Sequence, residues 1–205
     1  MSSLAPGDDT RVLETLTPPS PPARVKVWDP VVRLFHWTVA LGCIANLTVL
    51  REVKSLHRGV GYVILAAVVL RIIWGFIGTP HARFSDFAPG PQRLIGYLKA
   101  LVRGREPRYV GHNPAGAVMM LALIGLVTFC GVTGWMMGLD AFWGEAWLET
   151  LHETAANVIL VMAILHVLAA LVESWRHREN LVLAMVTGFK RAPKGDDVRH
   201  ASAAD

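Results

Sequence analysis

A chain of 205 residues with 53% apolar side chains, a mean hydropathy of +0.40 and a formal charge of +4 is too apolar for an ordinary soluble domain and points to lipid as its solvent. Its basic balance needs no nucleic acid to explain it, because the Lys and Arg residues gather beside apolar runs, where they set topology and meet anionic lipid. With only Cys43 and Cys130, and no Cys-x-x-Cys-His, the sequence excludes a cysteine metal cluster and a covalently attached c-type haem; both cysteines read as small buried apolar residues.

Residues 1–24 lack an apolar signal core and carry Pro18, Pro19, Pro21 and Pro22, so they are expected to form an extended, unfolded tail rather than a removable signal peptide. Four apolar runs follow that are long enough to cross a bilayer: Val31 to Leu50, Leu56 to Ile77, Ala115 to Leu139 and Leu151 to Trp175. Between the second and third, Gln92 to Arg103 alternates apolar and basic faces and predicts a helix lying flat at the membrane surface, and Asn180 to Gly188 predicts a second, shorter one. Asn113 and Pro114 read as the cap and first turn of the third span. The segment from Lys194 to Asp205 is too polar to pack and is expected to be mobile. The fold class is therefore all-α: an integral membrane four-helix bundle over residues 25–191, with a polar tail at 192–205.

Orientation follows from the basic residues. The second connection carries Arg83, Arg93, Lys99, Arg103, Arg105 and Arg108, and the C-terminal segment carries Arg176, Arg178, Lys190, Arg191, Lys194 and Arg199, whereas Asp140 to Thr150 holds acids alone. Arg51, Lys54 and Arg58 in the first connection are outvoted. Both termini are expected in the cytoplasm of a bacterial inner membrane.

Histidines inside such helices are expensive and mark a pathway, a partner or a cofactor. His152 and His166 lie fourteen residues apart on the fourth span, within ~40° of one face and ~21 Å apart along the axis. Depth supplies each with a partner: His36 with His166 toward the cytoplasm, and His57 with His152 toward the outside. Two imidazoles at each level, without thiolate or carboxylate, suit the axial ligation of two b haems better than zinc. Gly42, Gly59 and Gly61 are small enough to admit a macrocycle edge, and Arg33, Arg58 and Arg71 are placed to pair with propionates. Arg71 lies fourteen residues beyond His57, at the depth of the inner pair. His112 reads as a loop-ordering residue, a propionate partner or a quinone contact, with Tyr97 near it. His81, His177 and His200 are expected to be solvated, and the seven tryptophans to form an interfacial belt.

WDPVVRLFHW at Trp28 to Trp37, HRGVGY at His57 to Tyr62, RIIWGFIGTPHARFSDF at Arg71 to Phe87, GHNPAG around His112, and LHE followed by His166 together resemble the bacterial cytochrome b561 family, which includes b-type subunits of membrane-bound nickel-iron hydrogenases. The resemblance implies haem ligands at His36, His57, His152 and His166, and electron transfer between a periplasmic partner and the quinone pool. It further implies either a stand-alone cytochrome or one paired with a periplasmic c-type cytochrome or an oxidoreductase subunit. A related branch oxidises superoxide and reduces quinone. Outside this family, the alternatives are a transporter whose histidines relay protons or bind metal, and a non-redox anchor. A relay wants carboxylates inside the spans, yet only Glu153 and Glu173 lie near, both toward the ends of the fourth.

Overall fold

A computed structural model describes residues 23–200. Among them are seven α-helices, four of which are long and apolar enough to cross a membrane: α1 (Pro30–Leu47), α2 (Lys54–Ile77), α5 (Pro114–Met136) and α6 (Ala146–Arg176). The short α3 (Phe84–Phe87) and the amphipathic α4 (Pro91–Val102) lie between the second and third spans, and α7 (Leu181–Thr187) follows the fourth. The expected tail before residue 23 and the last five residues lie outside the described part.

Helix starts are written in local chemistry. Asp29 caps α1 by accepting from the Val32 amide at 2.9 Å, with Pro30 in the first turn. Asn113 does the same for α5, accepting from Gly116 N at 2.7 Å with Pro114 next in line. Asn180 caps α7 through the Leu183 amide at 2.8 Å, and Gly188, at φ 88°, ends that helix in the left-handed conformation that glycine adopts without a Cβ penalty. The fourth span begins five residues before its expected start, because Ala146 to Thr150 continue the helix beyond the apolar run.

The spans pack in chain order, α1 on α2, α2 on α5 and α5 on α6. The small core between them gathers Ile64, Val68, Val127 and Ile159 with Phe35, Val39 and Cys43. Close approach depends on glycine: a Cβ on Gly131 would fall 3.0 Å from Leu65 Cδ1, and one on Gly42 would fall 2.9 Å from Ile64 Cδ1. Most other large apolar residues of the spans face outward, as Leu34, Val63, Phe76, Val161 and Leu171 do. That distribution is the reverse of a soluble bundle and fits lipid contact on the outer surface.

One end of the bundle carries a polar cap. It joins residues 23–29, the connection between α2 and α5, and residues 177–200. Strand β1 (Arg24–Lys26) pairs antiparallel with β2 (Phe189–Arg191), tying the two ends of the described chain together. Asp29 Oδ2 accepts from Trp74 Nε1 at 3.1 Å and from Thr79 Oγ1 at 2.6 Å, which links the first span to the end of the second. Burial alone would raise the Asp29 pKa, but the hydrogen bonds from Thr79, Val32, Trp74 and Val31 outweigh it and hold the carboxyl below its ordinary range.

The segment after Lys194 does not behave as its polarity suggested, at least as far as His200. Arg108, only 5% exposed, forms a two-pronged contact with Glu179 and a 2.7 Å bond from Nη1 to Asp197, while Val198 O accepts from the Val110 amide at 2.9 Å. Polar residues pack here because each charge meets an opposite one already held in the cap. Trp28 departs from the expected belt for a similar reason: it is buried under the Lys190 ammonium, 5.7 Å from its ring. Trp135, Trp143, Trp147 and Trp175 remain exposed at span ends, where a belt belongs.

Candidate functional site

Two histidine pairs face each other across the bundle at two levels. His36 on α1 and His166 on α6 have ring centroids 6.4 Å apart; His57 on α2 and His152 on α6 have centroids 6.1 Å apart. The pairing derived from depth is thus the one the fold makes. With a ring nitrogen about 2.0 Å from a metal and the ring centre about 1.2 Å further, two imidazoles sharing one ion would stand about 6.4 Å apart, which is close to both separations.

Hydrogen bonding at the His57/His152 level prepares the ligands. His152 Nδ1 lies 3.0 Å from Cys130 O and 3.2 Å from Thr133 Oγ1. A carbonyl can only accept, so Nδ1 carries the proton and Nε2 keeps its lone pair for coordination. Gly134 makes room for that ring, since a Cβ there would sit 3.0 Å from His152 Cε1. Asn46 Nδ2 donates to His57 O at 3.1 Å and fixes the first turn of α2. Thr133, Gly134 and Asn46 were missed by the sequence reading; Thr133, one of two threonines on the third span, was the available signal.

Unpaired buried atoms collect at the same places. Arg33 Nε, His36 Nδ1, His57 Nδ1, Arg71 Nη1 and His112 Nδ1 are all buried without a hydrogen-bond partner. Such orphans are uncommon in folded proteins and mark places where a further polar group fits. Arg71 is 1% exposed; one arm donates to Ala82 O at 3.0 Å and its guanidinium lies 5.1 Å over the Phe84 ring, which leaves Nη1 unspent. Arg33 hydrogen-bonds Val186 O through Nη2. Arg58 is exposed, with its guanidinium carbon beside Gly138 at the opposite end from the cap. The residues present therefore fit two bis-histidine porphyrins with acids to be neutralised near Arg33 and Arg71.

Three expectations need correction. Gly42 gives its space to Ile64 of the neighbouring helix, so it serves helix packing, whereas the faces at Gly59 and Gly61 are open, with nothing within 4 Å of a Cβ on Gly59 and only Asn46, at 4.0 Å, near one on Gly61. Tyr97 is buried against Tyr109, whereas His112 is held between Trp28 and Phe87 with centroids 4.7 and 4.6 Å away, so the two fall in different apolar clusters. His81 and His177 are not solvated: their side chains are 15% and 16% exposed and lie against Asp86 and Glu173 respectively, while His200 also meets Asp86.

Burial, reinforced by the nearby Lys190 and Arg71 charges, pushes His112 down to about 3, so its imidazole stays neutral at physiological pH. Lys190, like Arg108, is a buried cation that sequence reasoning overlooked. Desolvation brings it down to about 8 against the pull of Glu179, and its ammonium donates to Val110 O at 2.9 Å. Nothing in GFKR distinguishes it from a surface lysine; only the strand pairing turns it inward.

Comparison with known proteins agrees with this arrangement. A family model described as prokaryotic cytochrome b561 matches residues 27–188. A probable Ni/Fe-hydrogenase B-type cytochrome subunit of Rhodobacter capsulatus is 28% identical, over 92% of this chain and 89% of its own length. Proteins of the same description from Rhizobium leguminosarum bv. viciae and Cupriavidus necator are 23% and 26% identical, each over 80% of this chain and 87% and 86% of their own lengths. No solved structure matches.

Proposed function

The chain belongs to the prokaryotic cytochrome b561 family and is a multi-pass membrane b-type cytochrome of electron transfer, and we propose that it carries two b haems, one held by His36 and His166 and the other by His57 and His152. The observation that carries this reading is the similar spacing of the two ring pairs, 6.4 and 6.1 Å, at two depths of one bundle. When bound, such haems would supply one-electron transfer, and His36, His57, His152 and His166 are the side chains that would hold them.

The protein's part is to orient and to tune. Cys130 O fixes the tautomer of His152, and the unspent donors of Arg33 and Arg71 would neutralise propionates at the capped level, raising the potential there by favouring the added electron. Arg58 is the corresponding cation at the other end. The cap and both described chain ends carry most of the basic residues, which supports the reading of a cytoplasmic cap in a bacterial inner membrane with the His57/His152 pair toward the periplasm. Residues 25–191 then form the membrane domain, extended by the docked segment up to His200.

Electrons would pass between a periplasmic redox partner and the quinone pool, with quinone near neutral His112 and Arg71 at the capped level. The hydrogenase subunits among the relatives favour an oxidoreductase subunit over a soluble c-type cytochrome as that partner. A proton-relay transporter is poorly supplied: Glu153 reaches out to Arg51, and Glu173 is engaged by Asn113 and His177 in the cap.

The test is haem content by level. Purified full-length protein should hold two b haems per chain, and His57→Ala or His166→Ala should each remove one and leave the other reducible at its own potential. Loss of both haems from His57→Ala with an intact fold, or a single haem in the parent, would overturn the two-level arrangement.

A further inference from the structure

Two helix ends meet at one corner of the cap, closed by the same backbone motif with different residues. At the end of α4, the Gly104 and Arg105 amides donate back to Leu101 O and Ala100 O at 3.1 and 2.9 Å, with Gly104 left-handed at φ 66°. At the end of α6, the Arg178 and Glu179 amides donate back to Trp175 O and Ser174 O at 3.4 and 3.0 Å, and here the left-handed residue is Arg178, at φ 50°. Gly188 is the left-handed residue after α7. Among the described residues, Arg178 is the only one other than glycine with a positive φ. Glycine adopts this conformation freely and a Cβ opposes it. An arginine is thus held here against its backbone preference, and such outliers gather where the side chain has a use.

Between the two ends lies a cleft of about 590 Å³ lined by Gly104, Glu106, Trp175, Arg176, His177 and Arg178, a volume ordinary for a ligand site. Arg176 binds Glu106 through Nε at 2.6 Å and Nη2 at 2.7 Å, so the one carboxylate lining the cleft is spent while Nη1 is not. Arg103, Arg105 and Arg178 are exposed and pair with no described carboxylate. Glu173 and Glu179, near in the chain, are engaged by Asn113 and Arg108. Each helix C-terminus adds about half a negative charge. Four arginines, less Glu106 and two such ends, leave about two positive charges at the cleft.

Apolar surface leads up to this charge. Leu168, Leu171, Val172 and Trp175 share one face of α6 at spacings of three and four residues, each more than half exposed, and Val102 at the end of α4 is 89% exposed. An interfacial belt accounts for Trp175, but not for the arginine in a glycine's conformation three residues on. We propose that the cleft holds the headgroup of an anionic phospholipid carrying two phosphates, with its acyl chains along Leu168, Leu171 and Val172. A guanidinium meets a phosphate with two parallel N–H donors, and basic pockets at helix ends beside the bilayer suit such headgroups. Nothing in this site draws on the paired histidines.

Full-length protein, delipidated in detergent, is titrated with diphosphatidylglycerol, with the single-phosphate phosphatidylglycerol or with phosphatidylcholine, and bound lipid is counted by native mass spectrometry. One diphosphatidylglycerol per chain is expected, retained in preference to both other lipids and undisturbed by excess inorganic phosphate. Arg178→Gly and Arg105→Gln should each weaken retention about fivefold. Arg51→Gln, at the opposite end of the bundle beside Glu153, should leave it unchanged. Arg178→Gly also relieves the backbone, so its thermal midpoint should hold or rise while lipid is lost, a combination that a purely structural role for Arg178 does not give. Equal retention of diphosphatidylglycerol and either other lipid, displacement by inorganic phosphate, or unchanged retention in both cleft variants overturns the proposal.

Discussion

The imidazole of His152 and the backbone carbonyl of Cys130 are joined at 3.0 Å across the interface between the third and fourth spans. That contact decides which nitrogen of His152 is free, and it depends on two helices lying close enough for a main-chain oxygen to reach a side chain on its neighbour. Gly134, beside the ring, permits the approach.

Gly134→Val should therefore displace His152 and remove or weaken the haem at that level. Expected is a fall from two haems toward one per chain in a pyridine haemochrome assay, with the capped level unaffected. Gly125→Ala is the control, because a Cβ there meets nothing within 4 Å.

Arg71→Gln keeps much of the side-chain volume and removes the charge. Its buried guanidinium has one unspent donor at the capped end of the bundle, so the midpoint of the haem proposed there should fall by about 60 mV, the equivalent of a tenfold change in a one-electron equilibrium. A spectroelectrochemical titration resolves the two haems; an unmoved midpoint would remove Arg71 from the haem environment.

Arg108→Ala strands Glu179, whose side chain is 7% exposed, without its main cation. Loss of one partner of a buried pair costs about 3–5 kcal/mol. The thermal midpoint in detergent should drop, and the segment after Arg191 should become sensitive to limited proteolysis because Asp197 loses its anchor. Arg108→Lys should recover only part of the loss, since an ammonium cannot bind the carboxylate with two parallel arms.

Lys190 titrates at about 8 in the folded chain against 10.5 for an unperturbed lysine. Below about pH 8 both states are protonated and the folded state bears the whole cost of burying the ammonium. From pH 8 to 10.5 the folded state releases its proton first, the unfolded state still binds one, and stability rises with pH. The rise on this residue's account is on the order of 3 kcal/mol. Thermal melts across that range should show the increment in the parent and lose it in Lys190→Met.

Much of this molecule is legible in its residues because lipid imposes few solutions. A run of some twenty apolar residues must satisfy its own backbone, so it becomes a helix wherever it stands, and Asp29, Asn113 and Asn180 mark helix starts by local hydrogen bonding alone. Histidines at measured depths on such rigid rods have few possible partners, and the pairing of His36 with His166 and His57 with His152 follows from rise per residue. What composition obscured was the polar cap. A lysine, an aspartate and two histidines in hydrophilic segments look solvated when read locally, yet Lys190, Asp86 and His81 are covered and His200 is drawn against them by residues far away in the chain.

The sequence by itself determined the four spans, the Asn113 cap of the third and the two levels of paired imidazoles, since periodicity and solvent fix those through short-range geometry. Only the tertiary structure decided that Gly42 packs against Ile64, that Cys130 and Gly134 hold His152 in place, and that the segment reaching His200 docks on the cap. Those outcomes rest on which helix face meets which neighbour and on charges brought together across more than seventy residues, as Arg108 and Glu179 are, and long-range contact of that kind leaves no local pattern to read.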